Sequence, residues 1–287
     1  MDFRTAEQLL EICKAEQRPI SYIMLMRESE ISGDKAEAFD ISMRKALGIM
    51  KDAVAIALSN PPRSMGGLIG GEAQKLNHRI CSGEALDKGL SARAAAYAMG
   101  VIEINSSMGL IVAAPTAGAS GVLPGVLLAM QEEYGLEDEM IVKALWNAAA
   151  IGYLFMRNST VSGAQGGCQA EVGSAAAMAA SATVELMGGT PEMSFAAAAM
   201  AISNLLGLVC DPVAGLVEIP CQKRNAVGAV NAISCAEIAL AGCSDPIPLD
   251  EMIEAARRVG AALPAELRET ALGGSAATPT ACRLCKG

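Results

Sequence analysis

In the stretch MSFAAAAMAISNLLGLVC, residues 193–210, no side chain is charged. Such a run is either a membrane span or a helix buried on every side. A span needs about 20 predominantly apolar residues. This run is Ala-rich and only weakly hydrophobic, which suits a helix over 194–209 enclosed by other helices. A second uncharged run, Ile104 to Met130, contains Pro115, Pro124, Gly109, Gly118, Gly121 and Gly125, with polar Asn105, Ser106, Ser107, Thr116 and Ser120. It reads as a loop between helices, so no membrane insertion is expected.

The rest of the chain has the same character. Hydrophobic residues make up 52% of the 287 positions, aromatics only 3%, and there are 29 Gly. Ala, Leu and Met favour helix, and few stretches alternate apolar and polar as a half-buried strand does. The expected fold class is all-α, a single compact multi-helix domain with Gly-rich loops at its site. The length suits one large domain or two small ones. No fixed-period repeat and no long linker divides it, so residues 1–287 are read as one helical domain, with 273–287 a flexible tail.

The pattern predicts two or three amphipathic helices before Pro61-Pro62, including Lys35 to Leu58. A glycine-rich loop follows from Ser64 to Glu72, then a helix from about Leu90 to Ile104. The loop Ala114 to Gly125 runs into a helix that Gly135 can cap. Further helices are expected at about Glu139 to Met156, after Cys168 until Gly188-Gly189, and after Cys221 to about Leu240.

A net charge of −9, with Lys223-Arg224 the only sizeable basic cluster, argues against a nucleic-acid surface. The N-terminal segment is charged throughout and has no apolar signal core, so a cytoplasmic location is expected, where thiols stay reduced. Nine Cys and a single His then read as metal ligands, reactive thiols or buried small hydrophobes, and a His-rich metal site is nearly excluded.

Three cysteines stand beside Gly or Pro at loop–helix junctions: Cys168 after Gly166-Gly167, Cys210 before Asp211-Pro212, and Cys221 after Pro220. Gly lets backbone approach a site closely and Pro fixes a turn. Cys168 and Cys221 each fall near a helix N-terminus, which stabilises thiolate. Their spacing leaves open whether they are ligands or buried hydrophobes. Cys13, Cys81, Cys235 and Cys243 lack this setting and read as core or incidental. Cys282 and Cys285 form a CxxC that is either part of a flexible tail or a source of one removable ligand.

The loops 64–72 and 115–125 present backbone N–H groups suited to a carboxylate or phosphate, or simply turn between helices. Titratable groups near them are Glu72, Lys75, His78, Glu171, Lys223 and Arg224. Each is a candidate proton-transfer group or carboxylate partner, and each is also an ordinary surface residue type.

Taken together, Ser64 to Glu72, Ala114-Pro115-Thr116 through Gly125, Ser162-Gly163-Ala164 through Gly173, and Cys210-Asp211-Pro212 through Pro220-Cys221 with Lys223-Arg224-Asn225 resemble the iron–sulfur-dependent L-serine dehydratases, specifically the alpha chain of the two-subunit type. The likeness covers about residues 20–280, and its last motif is the most specific. The resemblance implies an all-helical domain holding a 4Fe–4S cluster by three Cys, which map onto Cys168, Cys210 and Cys221. It implies conversion of L-serine to pyruvate and ammonia without pyridoxal phosphate, a step of serine degradation that feeds gluconeogenesis. A separate beta chain with an allosteric ACT-type module is expected, and a homodimer is left open. Some single-chain members end in a Cys on the fourth iron; this tail, with Cys282 and Cys285, ends differently. Gln165 and Gly166 stand where the family pattern suggests larger or acidic residues.

On this resemblance, the open iron is a Lewis acid for serine's β-hydroxyl. Thr116, Ala117, Gly118, Ser120, Asn158, Ser162, Lys223 and Arg224 are the expected substrate-binding residues. Lys75, His78 and Ser64 are the candidates for the base that removes the Cα proton. The competing readings are a cysteine-desulfidating lyase of the same fold, a membrane permease component and a non-catalytic iron sensor.

Overall fold

Thr5 starts the first helix, its side chain accepting a hydrogen bond from Gln8 N at 3.2 Å, which satisfies a backbone donor that has no partner within the helix. The computed structural model describes residues 1–87 and 89–284. Among these it forms thirteen α-helices: α1 (Ala6–Glu16), α2 (Ile20–Ser32), α3 (Ala36–Ser59), α4 (Glu72–Cys81), α5 (Leu90–Ser106), α6 (Val122–Tyr134), α7 (Asp138–Asn158), α8 (Gly163–Gly166), α9 (Ser174–Leu186), α10 (Pro191–Ser203), α11 (Cys221–Leu240), α12 (Leu249–Ala262) and α13 (Pro279–Leu284). The fold is all-α. The strand-like pairing among the described residues is one parallel bridge, Cys210 to Arg268.

The Ala-rich α9 is the centre. Ala175, Ala176, Ala177, Ala179, Ala180 and Ala182 are all fully buried, and α6, α7, α10 and α11 pack against it. Helices this poor in bulk hold together by close approach rather than by interlocking large side chains. No helix among the described residues is long and apolar enough to cross a membrane.

The uncharged run that opened the sequence reading is helical over a different span from the expected 194–209. Thr190 caps α10, accepting from Met193 N at 3.3 Å, and Pro191 sits where its missing N–H costs nothing. The helix stops at Ser203, because Gln169 draws the chain aside: its Oε1 accepts from Gly207 N at 2.8 Å and its own N–H donates to Leu208 O at 2.9 Å. Helix α6 ends at Gly135 as expected, with φ of 62°. Helices α4 and α12 were not anticipated. The stretch expected to form the tail holds a turn at Gly274–Ala277 and then α13, with Ala276 and Ala281 buried.

Helices α5 and α6 lie close enough to exclude a side chain. A Cβ on Gly121 would stand 2.2 Å from Ala98 O, and one on Gly125 would stand 2.8 Å from Ala94 O. Gly121→Ala is therefore expected to force the two helices apart and destabilise the fold by about 3 kcal/mol. A urea or thermal unfolding midpoint measures this.

Candidate active site

The segment from Val209 to Asn225 carries two of the three cysteines, and it is held from both sides. Cys210 N donates to Leu267 O at 2.9 Å, and Glu269 N donates to Cys210 O at 2.7 Å. Arg224, one turn into α11, donates through Nη1 to Val209 O and to Asp211 Oδ1, each at 2.7 Å. The buried Asp211 also accepts from Ser275 N at 2.6 Å. Cys221 is the first residue of α11, and Cys168 leads into a π-turn, Gln169–Gly173, that continues as α9. Both thiols therefore lie at the positive ends of helices.

Cys168, Cys210 and Cys221 are all buried. Burial, with Glu171 next, pushes the Cys168 and Cys221 thiols up to about 12 and raises Cys210 as well; the Arg224 charge works against this at Cys168 and Cys221. Cys168 and Cys221 both add to the shift at Cys210.

Glu171 joins the thiols to the 115–121 loop. Its Oε1 accepts from Thr116 Oγ1 at 2.7 Å, and its Oε2 lies 3.8 Å from Cys210 Sγ. Two glycines make room for it. A Cβ on Gly118 would be 2.8 Å from Oε1, and a Cβ on Gly163 would be 2.5 Å from Oε2 and 3.0 Å from Cys210 Sγ. Burial raises the Glu171 pKa. The loop itself is tied down by Asn225, which accepts from Gly121 N at 3.0 Å and donates to Gly118 O at 2.8 Å. The N–H groups of Thr116, Ala117 and Gly118 have no protein acceptor among the described residues.

The other glycine-rich loop, 64–72, is filled from within. The fully buried Glu218 accepts from Gly66 N at 2.6 Å and Leu68 N at 2.9 Å. Glu72 accepts from Gly70 N at 2.7 Å. Fully buried Glu103 accepts from Gly71 N at 3.0 Å, Ala73 N at 2.9 Å and Gln222 Nε2 at 2.7 Å. Burial raises the Glu103 pKa. These N–H groups are satisfied by the protein's own carboxylates, which fasten α4 and its loop beside Cys221 through Gln222.

A model of the family "Serine dehydratase alpha chain" matches residues 15–276. The chain belongs to this family. "Probable L-serine dehydratase, alpha chain" of Bacillus subtilis is 47% identical over 99% of this chain and 94% of its own length. "L-serine dehydratase, alpha chain" of Peptoniphilus asaccharolyticus is 39% identical over 98% of this chain and 96% of its own. "L-serine dehydratase" of Streptomyces coelicolor is 36% identical over 98% of this chain, which spans 62% of that protein.

Among the described residues, no three His, Cys, Asp or Glu side chains converge tightly enough for a single metal ion. The ligands of a cuboidal cluster sit on separate irons and stand further apart than that. The donor set fits such a cluster: three buried thiols whose charges bear on one another, two of them at helix N-termini, with Gly118 and Gly163 admitting Glu171 beside Cys210.

The residues singled out from sequence fall into three groups. Thr116 and Gly118 meet the cysteines through Glu171, and Ser162 adjoins Gly163 on the same wall. Ser120 is fully buried and donates to Ala117 O at 2.8 Å, so it shapes the loop, and exposed Ala117 also accepts from Asn105 at 3.2 Å. Arg224 holds Asp211, and exposed Lys223 donates to Gln222 Oε1. Ser64 accepts from Ile69 N at 3.2 Å within its own loop. Asn158 is tied elsewhere, donating to Arg4 O at 2.8 Å and Leu154 O at 3.1 Å. Lys75 and His78 are exposed on α4, with no side-chain bond among the described residues. Cys282 is exposed, and Cys285 lies outside the described residues.

Sequence reasoning placed no structural role on Glu103, Asp211, Glu218, Gln222 or Asn225. A signal existed for the acids. Asp211 and Glu218 interrupt an otherwise uncharged stretch, and Glu103 lies within the apolar run of α5. An isolated carboxylate in such surroundings needs donors.

Proposed function

We propose that this chain is the catalytic subunit of an L-serine dehydratase, converting L-serine to pyruvate and ammonia with a 4Fe–4S cluster held by Cys168, Cys210 and Cys221. The observation that carries this reading is Glu171, whose carboxyl touches the Thr116 hydroxyl on one side and the Cys210 thiol on the other. It joins a loop with open N–H groups to a set of cluster ligands.

When bound, the cluster supplies a Lewis acid for the β-hydroxyl. The chain's own residues do the rest. The N–H groups of Thr116, Ala117 and Gly118, with Ser162 beside Gly163, receive the substrate carboxylate. Ser120, Asn225 and Asn105 hold that loop rigid, and Arg224 and Lys223 hold the Cys210–Gln222 segment. A base drawn from Lys75, His78 and Ser64 removes the Cα proton; the first two are unengaged side chains on α4, which adjoins Cys221 through Gln222. Loss of the proton and the hydroxyl leaves an enamine, which becomes an imine and hydrolyses.

The subunit acts with a separate beta chain. Relatives with "alpha chain" in their names match end to end, whereas the Streptomyces coelicolor protein without that designation extends well beyond the match, which supports a regulatory part on another polypeptide. The enzyme works in the cytoplasm, where its thiols stay reduced.

Anaerobic reconstitution with iron and sulfide, followed by assays with L-serine, L-threonine and L-cysteine, tests the reading. Pyruvate from L-serine at the highest kcat/KM supports it. No iron–sulfur chromophore, or L-cysteine as the best substrate, overturns it.

A prediction follows from the wall around Glu171. Gly163→Ala places a methyl 2.5 Å from Glu171 Oε2 and 3.0 Å from Cys210 Sγ. The displaced carboxyl and thiol are expected to lower serine turnover by about 100-fold. Iron content per chain and the melting temperature, measured alongside, separate site damage from unfolding.

A further inference from the structure

Glu171 is a carboxyl without a cation. Among the described residues no Lys, Arg or His forms an ion pair with it. The charged group that bears on it is Glu269, of its own sign, and Arg224 nearby is committed to Asp211. Its neighbours are a hydroxyl and a thiol. The glycines at 118 and 163 let the backbone close against both of its oxygens without displacing them. A carboxylate withdrawn from water is normally paired with a positive group. Here the protein supplies none, so the complement comes from what binds.

The chemistry of an α-amino acid matches this position. Its ammonium and carboxylate are attached to the same carbon, so their acceptor and donor must be adjacent in the site. Thr116 provides that adjacency: its N–H is among the open donors of the loop, and its hydroxyl is already bonded to Glu171 at 2.7 Å. The β-carbon of the same molecule would then point past Glu171 toward the cysteines.

We propose that Glu171 accepts the α-ammonium of the substrate and thereby selects amino acids over hydroxy acids of the same shape. This rests on the dehydratase reading above. Glu171 so placed is a specificity determinant that touches substrate.

The probe is 3-hydroxypropionate, which keeps serine's carboxylate and β-hydroxyl and lacks its ammonium. The affinity for L-serine, read as KM where pyruvate forms and as a calorimetric dissociation constant where it does not, and the dissociation constant of 3-hydroxypropionate are measured on anaerobically reconstituted wild-type and Glu171→Gln protein. The paramagnetic resonance spectrum of the reduced cluster without ligand is recorded for both. Glu171→Gln is expected to keep the ligand-free spectrum, to weaken L-serine by about 100-fold and to leave 3-hydroxypropionate within about twofold. An equal loss for both ligands overturns the proposal, as does an altered ligand-free spectrum, which would make Glu171 an iron ligand instead. A check on wild-type protein needs no variant: equal affinity for the two ligands also overturns it. Glu171-dependent preference for L-serine with no pyruvate formed would uphold this inference while refuting the dehydratase reading.

Discussion

Cys210→Ala protein, reconstituted anaerobically, is expected to hold no stable cluster and to turn over L-serine at least about 1000-fold more slowly than the parent. The size of the effect follows from what the thiol is for. Its sulfur lies 3.8 Å from Glu171 Oε2, Cys168 and Cys221 bear on it electrostatically, and alanine offers no thiolate at that place. The fold should barely respond. The bonds that anchor this residue, to Leu267 and Glu269, use its backbone, which alanine keeps. Losing one buried sulfur costs about 1 kcal/mol. Cys235→Ala is the matched control. Cys235 is equally buried but lies in α11 against Asn204, whose Nδ2 is 3.4 Å from its sulfur, away from the other thiols. It should keep iron, sulfide and rate. Iron and sulfide analysis with a pyruvate assay decides the matter, and a fully loaded, fully active Cys210→Ala enzyme would remove the basis of the proposed function.

The second large effect falls on stability. Glu103→Ala is expected to lower the unfolding free energy by about 4 kcal/mol, since each buried donor left without a partner costs about 1–3 kcal/mol. Three donors depend on this carboxylate: Gly71 N, Ala73 N and Gln222 Nε2. Two of them form the N-terminus of α4, where no other group caps the helix. Typical domains have only about 5–15 kcal/mol in total, so the variant should melt far below the parent and lose the 64–72 loop first. Glu103→Gln keeps one acceptor oxygen and turns an NH2 toward a donor, so an intermediate loss is expected. Urea unfolding of the three proteins gives the ranking, and equal midpoints would show that the N–H groups find water instead.

Where the sequence repeats a physical signal, the fold could be read from it. Ala-rich and uncharged runs became buried helices, and Gly135 and Gly188 ended helices where a left-handed residue is wanted. Where a boundary depends on a distant partner, the reading went astray. The chain beyond α10 is held by Gln169, more than thirty positions earlier, and the local signals, Asn204 and the left-handed Gly207, are weak inside an otherwise apolar run. The two glycine-rich loops show the same limit at the site. Both present backbone donors. One is occupied by Glu218, which lies about 150 residues along the chain, and the other keeps three donors open. Composition cannot tell a filled cradle from an empty one. The three cysteines could be picked out because Gly and Pro flank them. Glu171 was visible only as one titratable group among several, because the glycines that admit it sit on two other segments.

The paired backbone bonds around Cys210 also set an order of events during synthesis. Chains emerge N-terminus first. Cys168, Cys221 and the helices that carry them can be in place before residues 267–275 exist, but Cys210 takes its final position only when Leu267, Glu269 and Ser275 arrive to hold it and Asp211. Iron and sulfide delivered to a half-made chain would find two ligands ready and the third adrift. A centre held as proposed would therefore mature after translation, when the last-made segment has closed over the Cys210 segment it secures.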